Sequence, residues 1–250
     1  MFHMCECACV RACVHVYRLI MDVRFIRGAT HLVVGPSGSG KTFRVLEYLK
    51  LKNELFQDGP KIKNVVFYYA AAQPVYDEMR KKNLVTTFKN MLPTNDDFID
   101  AVHEYKDRGG SIVIIDDFMA DINKDLEKIV TVTSRHYNTS TFILHQNLFP
   151  KQGRQISLNV KYIHLLKNPR ENAQFATLAR QLQPHNWRWI VEAYHEATKN
   201  PYSCFLIDVT QETPEVARFR SNVLEKEWPM QAWMSKGVRP RDLSATANYA

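Results

Sequence analysis

The sequence predicts an α/β fold of three layers, a mostly parallel central sheet with helices on both faces. Apolar runs near 31–34, 63–70, 111–115 and 141–144 are continuous rather than alternating, as in strands buried on both faces. Helix-forming segments separate these runs, the rhythm of strand–helix–strand units. The first run leads directly into a glycine-rich loop and two later ones end in polar groups, at the edge where open parallel sheets bind ligands. With 250 residues, 45% of them hydrophobic, the chain suffices for one large domain. We place it at 21–224, between an extension at 1–20 and a basic tail at 225–250.

The loop is Gly35-Pro36-Ser37-Gly38-Ser39-Gly40-Lys41-Thr42, set between the strand at 31–34 and a helix running to about 52. It fills every fixed position of G-x-x-x-x-G-K-[ST] and defines a P-loop NTPase pattern. Its glycines let several backbone N–H groups converge on one anion, and the helix start adds the positive end of its dipole. Lys41 is expected to reach the β- and γ-phosphates of ATP, and the Thr42 hydroxyl to ligate Mg²⁺.

The strand Ser111-Ile112-Val113-Ile114-Ile115 ends in Asp116-Asp117. Asp116 is expected on the Mg²⁺ side, and Asp117 as the general base for the attacking water. The strand at 141–145 ends in Gln146, a neutral donor and acceptor suited to sensing the γ-phosphate or the lytic water. Arg135 lies in the turn before that strand, where a guanidinium can act as an arginine finger in a neighbouring subunit or make a surface ion pair. His136 and His145 lack ligand spacing and are read as hydrogen-bonded structural residues.

Further elements are expected as a helix at 75–82, a helix at 96–106 ended by Gly109-Gly110, a helix at 121–130, a strand at 160–167, helices at 171–183 and 186–198, and a last strand at 202–208. From 215 the chain turns basic, with Trp228 and Trp233 among Arg218, Arg220, Lys226, Lys236, Arg239 and Arg241. The net charge of +7 suits a polyanionic partner.

Four of five cysteines, Cys5, Cys7, Cys9 and Cys13, crowd the first residues, so the core is not built on disulfides. Their C-x-C-x-C spacing lacks the paired halves of zinc modules. Arg11, His15 and Arg18 interrupt the apolar character of 1–20, so neither a signal peptide nor a membrane span is expected there. Everything before Met21 is expected to be dispensable.

The glutamine strand following the acidic strand resembles the additional-strand P-loop ATPases, in which it is inserted between the loop strand and the acidic strand. The phrases Ser134-Arg135-His136-Tyr137-Asn138, His145-Gln146-Asn147-Leu148-Phe149, Ile156-Ser157-Leu158-Asn159, Lys167-Asn168-Pro169-Arg170 and Leu178-Ala179-Arg180-Gln181 join the loop and Asp116-Asp117 in this likeness. Together they resemble the genome-packaging ATPases of the FtsK–HerA class, found in large double-stranded DNA viruses and Maverick/Polinton elements, over about 21–222. The resemblance implies a homo-oligomeric ring that hydrolyses ATP with Mg²⁺ to drive double-stranded DNA, without regard to sequence, into a capsid through a capsid or portal partner. It implies a place inside an infected cell, in nucleus or cytoplasm, or in the virion. Lys41, Thr42, Asp116, Asp117 and Gln146 take the roles given above, and Arg170 and Arg180 join Arg135 as alternatives for the finger.

Two other functions fit the loop. GPSGSGKT also resembles guanylate kinases, although the chain shows no convincing base-binding or lid segment. A non-hydrolysing, nucleotide-gated assembly factor would bind ATP without DNA-stimulated turnover.

Overall fold

The computed structural model describes residues 12–15, 23–116, 123–149, 153–224 and 230–235. Its strands are β1 (Ala12–His15), β2 (Thr30–Val34), β3 (Asn64–Tyr69), β4 (Thr87–Lys89), β5 (Ser111–Asp116), β6 (Thr139–His145), β7 (Tyr162–Leu166), β8 (Cys204–Asp208), β9 (Phe219–Ser221) and β10 (Gln231–Ser235). Two compact units divide within β7: Arg24–His164, and Leu165–Ala250 together with Met1–Val23.

In the unit Arg24–His164 the strand order is β7-β2-β6-β5-β3-β4. The pairs β2–β6, β6–β5, β5–β3 and β3–β4 are parallel. Every residue of β2, β5 and β6 is buried, which explains the continuous apolar runs 32–34, 112–115 and 142–144 within them. The glutamine strand β6 therefore lies between the loop strand β2 and the acidic strand β5, the order the resemblance implies.

Register decides what meets at the carboxyl edge. Val34 pairs with His145, and Asp116 pairs with Leu144 on one side and Tyr69 on the other. The chain leaving β2, β5, β6 and β3 thus emerges at one level, with the Gly35 N–H donating to the His145 carbonyl at 3.2 Å.

Helices start and stop where local chemistry directs. Thr94 and Asp97 form a reciprocal capping box for the helix Asn95–Val102. Asn123 caps Lys124–Lys128, and the chain continues as the π-helix Ile129–Thr133 and the turn Ser134–His136. Gly110 ends the approach to β5 at φ 75°, where an added Cβ would stand 2.2 Å from the Asn138 carbonyl oxygen, so the position admits only glycine.

A buried polar chain links β2 and β7 to the helix that follows the glycine loop. The Tyr48 hydroxyl and His164 Nδ1 are 2.9 Å apart, and His164 Nε2 and His31 Nδ1 are 3.1 Å apart. The His31 ring stacks between Phe142 and Tyr162, with centroids at 4.1 and 4.7 Å. Burial, reinforced by His164, holds the His31 pKa well below its ordinary value.

In the second unit, β8, β9, β10 and β1 form a run of antiparallel pairs, and the helices Asn172–Leu182 and Arg188–Ala197 contribute Phe175, Trp189 and Tyr194 to its core. Arg220, 1% exposed, donates to Asp208 Oδ2 at 2.6 Å and to the Val23 carbonyl at 2.7 Å. Trp233 is buried and donates its indole N–H to Ser221 Oγ at 2.9 Å.

These strands correct the expectation that β8 is last and that a basic tail begins at 225. Arg220 reads as a surface charge in sequence, yet its partner Asp208 lets it sit inside a strand. Gln231 and Ala232 of β10 pair with β9, and residues 12–15, within the expected extension, pair with β10. The short edge strand β4 and the helix Arg154–Asn159 were not expected either. The remainder of the cysteine-rich start, and Trp228, lie outside the described residues.

Two stability measurements follow from this packing. Below about pH 6.5 the unfolded chain binds a proton that native His31 refuses, so stability is lost as pH falls from there toward the depressed native value. Chemical denaturation from pH 8 to 5.5 is expected to show this loss, and His31→Phe to reduce its slope by up to about 1.4 kcal/mol per pH unit. Arg220→Leu, which leaves the Asp208 charge buried without its guanidinium, is expected to cost about 3 kcal/mol in urea unfolding.

Candidate functional site

The helix Lys41–Lys50 begins at Gly40, which takes φ 94° and ψ 21°, and Gly38 takes φ 75°. Both values lie in the left-handed region that favours glycine, so the loop's tight course follows from its sequence. No side chain caps this helix and no acidic residue occupies its first turn. Its first N–H groups and positive dipole end are left to act on an anion.

Lys41 Nζ donates to the carbonyls of Gly35 at 2.7 Å and Pro36 at 3.1 Å, so the ammonium lies over the loop. Thr42, buried in the same turn, donates through Oγ1 to Asp116 Oδ2 at 2.9 Å. This bond joins the helix after β2 to the end of β5, across the intervening β6.

Asp116 is 1% exposed, an expensive place for a carboxylate unless it is well solvated by protein. Beside Thr42, its Oδ2 accepts from the Tyr76 hydroxyl at 3.0 Å and from Gln73 Nε2 at 3.4 Å. Gln73 and Tyr76 stand at the start of the helix Val75–Lys81, which follows β3. Nothing in their sequence marked them as part of the site; their one signal is position, just after a strand ending at the ligand-binding edge.

A cavity of about 300 Å³ opens here, and Gly38, Lys41, Thr42, Gln73, Asp116 and Gln146 are among its lining residues. Of the residues singled out in sequence, Lys41, Thr42, Asp116 and Gln146 are thus brought together. Asp117 lies outside the described residues. Arg135 is exposed before β6, separated from Gln146 by a seven-residue strand, roughly 20 Å. Arg170 is exposed in the other unit, and Arg180 stacks on Trp187 at 4.0 Å there.

The donor set fits a nucleotide with a hard cation. Oxygen ligands suit Mg²⁺, and the Thr42 hydroxyl and Asp116 carboxylate supply a pair already in contact. Ser39 Oγ, buried in the loop, has no hydrogen-bond partner among the described residues, so a donor remains for phosphate oxygen. Lys41 and the helix start bring positive charge to the same edge.

This arrangement of parallel strands, flanking helices and loop is the P-loop NTPase fold. No family model and no curated protein matches the chain. Among solved structures it is similar to the cytoplasmic domain of the type VII secretion ATPase EccC of Thermomonospora curvata, with TM-score 0.52 and 16% identity over 86% of this chain and 26% of that one. It is also similar to the DNA-packaging ATPase B204 of Sulfolobus turreted icosahedral virus, with TM-score 0.49 and 15% identity over 74% of this chain and 95% of that one. The genome-packaging NTPase B204 of Sulfolobus turreted icosahedral virus 2, in complex with ATP-gammaS, gives TM-score 0.47 and 15% identity over 77% and 96%.

Because Thr42 is one of the donors that solvate a buried carboxylate, Thr42→Val is expected to lower stability by about 1.5 kcal/mol. Thr42→Ser, which keeps the hydroxyl, is expected to retain most of it. Urea unfolding of both variants checks this.

Proposed function

We propose that this chain is an ATP-hydrolysing motor that moves double-stranded DNA into a capsid. The observation that carries the enzymatic part is the convergence of Lys41, Thr42, Asp116 and Gln146 on one cavity at the carboxyl edge of the sheet. The motor part rests on the insertion of β6 between β2 and β5, on the sequence phrases that resemble those of viral packaging ATPases, and on the net charge of +7.

In this reading the loop N–H groups and Lys41 hold the β- and γ-phosphates, and Thr42 and Asp116 hold Mg²⁺. The bound cation supplies neutralisation of charge that builds on the phosphate oxygens. Asp117, the residue after β5, accepts a proton from the attacking water. Gln146 orients that water or the γ-phosphate and reports hydrolysis along β6.

Arg135 is too far along β6 to serve its own cavity. Its exposed guanidinium is offered instead to a neighbouring copy in a ring, where it stabilises the transition state. DNA is held by Lys and Arg contacts to phosphate, independent of base sequence, and the motor works at a capsid or portal vertex within the infected cell. No helix among the described residues is long and apolar enough to cross a membrane.

Steady-state ATP hydrolysis by the full chain, with and without double-stranded DNA at low and high salt, tests this. Turnover is expected to rise with DNA, to lose that stimulation as salt increases, and to fall at least a hundredfold in Asp117→Asn, about the lower limit for a general base. ATP binding with no DNA-stimulated turnover contradicts the motor reading, and phosphoryl transfer to a nucleoside monophosphate would make it a kinase.

A further inference from the structure

Tyr76 is fully buried, and its ring packs against Phe67, Tyr69 and Phe88 with centroids at 4.9, 5.2 and 6.0 Å. Such a cluster is served by a phenylalanine, as Phe67 and Phe88 show in the same place. A phenol brought into apolar surroundings costs free energy unless its hydroxyl is bonded. This one donates to Asp116 Oδ2 at 3.0 Å, the same oxygen that accepts from Thr42 at 2.9 Å and Gln73 at 3.4 Å.

Three donors from two segments thus converge on one carboxylate oxygen. Thr42 is itself a candidate cation ligand, and Gln73 lines the cavity at half-burial. Tyr76 differs from both: it is not among the residues that line the cavity, and its hydroxyl meets the site at Asp116. A carboxylate that binds a metal is oriented by the groups bonded to it from behind, and losing such a group typically weakens metal binding ten- to a hundredfold.

We propose that Tyr76 is a positioning residue for the divalent cation: its hydroxyl fixes the Asp116 carboxylate in the orientation that binds metal beside Thr42. This rests on the nucleotide-site reading above and adds a residue to it. Gln73 assists through the longer bond to the same oxygen. Gln73 just precedes the helix Val75–Lys81 and Tyr76 stands in its first turn, so the start of that helix is tied to the metal side of the site rather than merely covering the sheet.

The test uses Tyr76→Phe, which keeps the ring and removes one oxygen. Mn²⁺ binding by the full chain is followed by electron paramagnetic resonance in the presence of a non-hydrolysable ATP analogue. Binding of the same analogue without metal is measured in EDTA, and thermal melting confirms folding. The expected result is at least a tenfold weaker Mn²⁺ affinity, with metal-free nucleotide affinity changed less than twofold. Gln73→Leu, which leaves the aromatic cluster intact, is expected to weaken Mn²⁺ binding in the same direction by a smaller factor.

Unchanged Mn²⁺ affinity in folded Tyr76→Phe overturns the proposal, as does an equal loss of metal-free and metal-dependent binding. If Tyr76→Phe does not fold, unchanged Mn²⁺ affinity in Gln73→Leu overturns it. Failure of the wild type to bind the analogue at all overturns the nucleotide-site reading itself, a result distinct from a wild type that binds normally and a variant that matches it.

Discussion

The hydrogen bond from Thr42 to Asp116 is the contact on which the rest of the site depends. It crosses from the helix after β2 to the end of β5, over β6 between them, and so fixes the glycine loop relative to the sheet edge. A buried carboxylate is tolerable only while donors replace its water, and Thr42, Tyr76 and Gln73 do so from two separate segments. Stability of the edge and, in the function proposed, the binding of a cation therefore have a common source.

The sheet makes that convergence reproducible. Because β2, β6, β5 and β3 run parallel and in near-level register, the residues that follow them emerge together. The buried chain Tyr48–His164–His31 then locks the last turn of the loop helix to β2 and β7. Aromatic rings on both faces of His31 leave it little room to ionise or move.

Much of this was legible in the sequence, for physical reasons that differ by element. The unbroken apolar runs announced β2, β5 and β6 because strands buried on both faces need no alternation. The loop was legible because glycines at positive φ, a lysine and a hydroxyl are required together, and Gly38 and Gly40 take those angles. The β9–β10 strands were hidden because Arg220 looks like surface charge until Asp208, twelve residues earlier in a different strand, neutralises it. Tyr76 was hidden because its role depends on a contact forty residues away that no local pattern encodes. The exposed Arg135 shows the opposite limit, since its partner, if it has the role proposed, belongs to another copy of the chain.

The most direct test of the account is a crystal structure of the full chain with Mg²⁺ and a non-hydrolysable ATP analogue. The account predicts the triphosphate in the loop 35–42, the cation held by the Thr42 hydroxyl and the Asp116 carboxylate directly or through water, and Gln146 facing the γ-phosphate. A triphosphate bound elsewhere, or a cation with no link to Asp116, would contradict it.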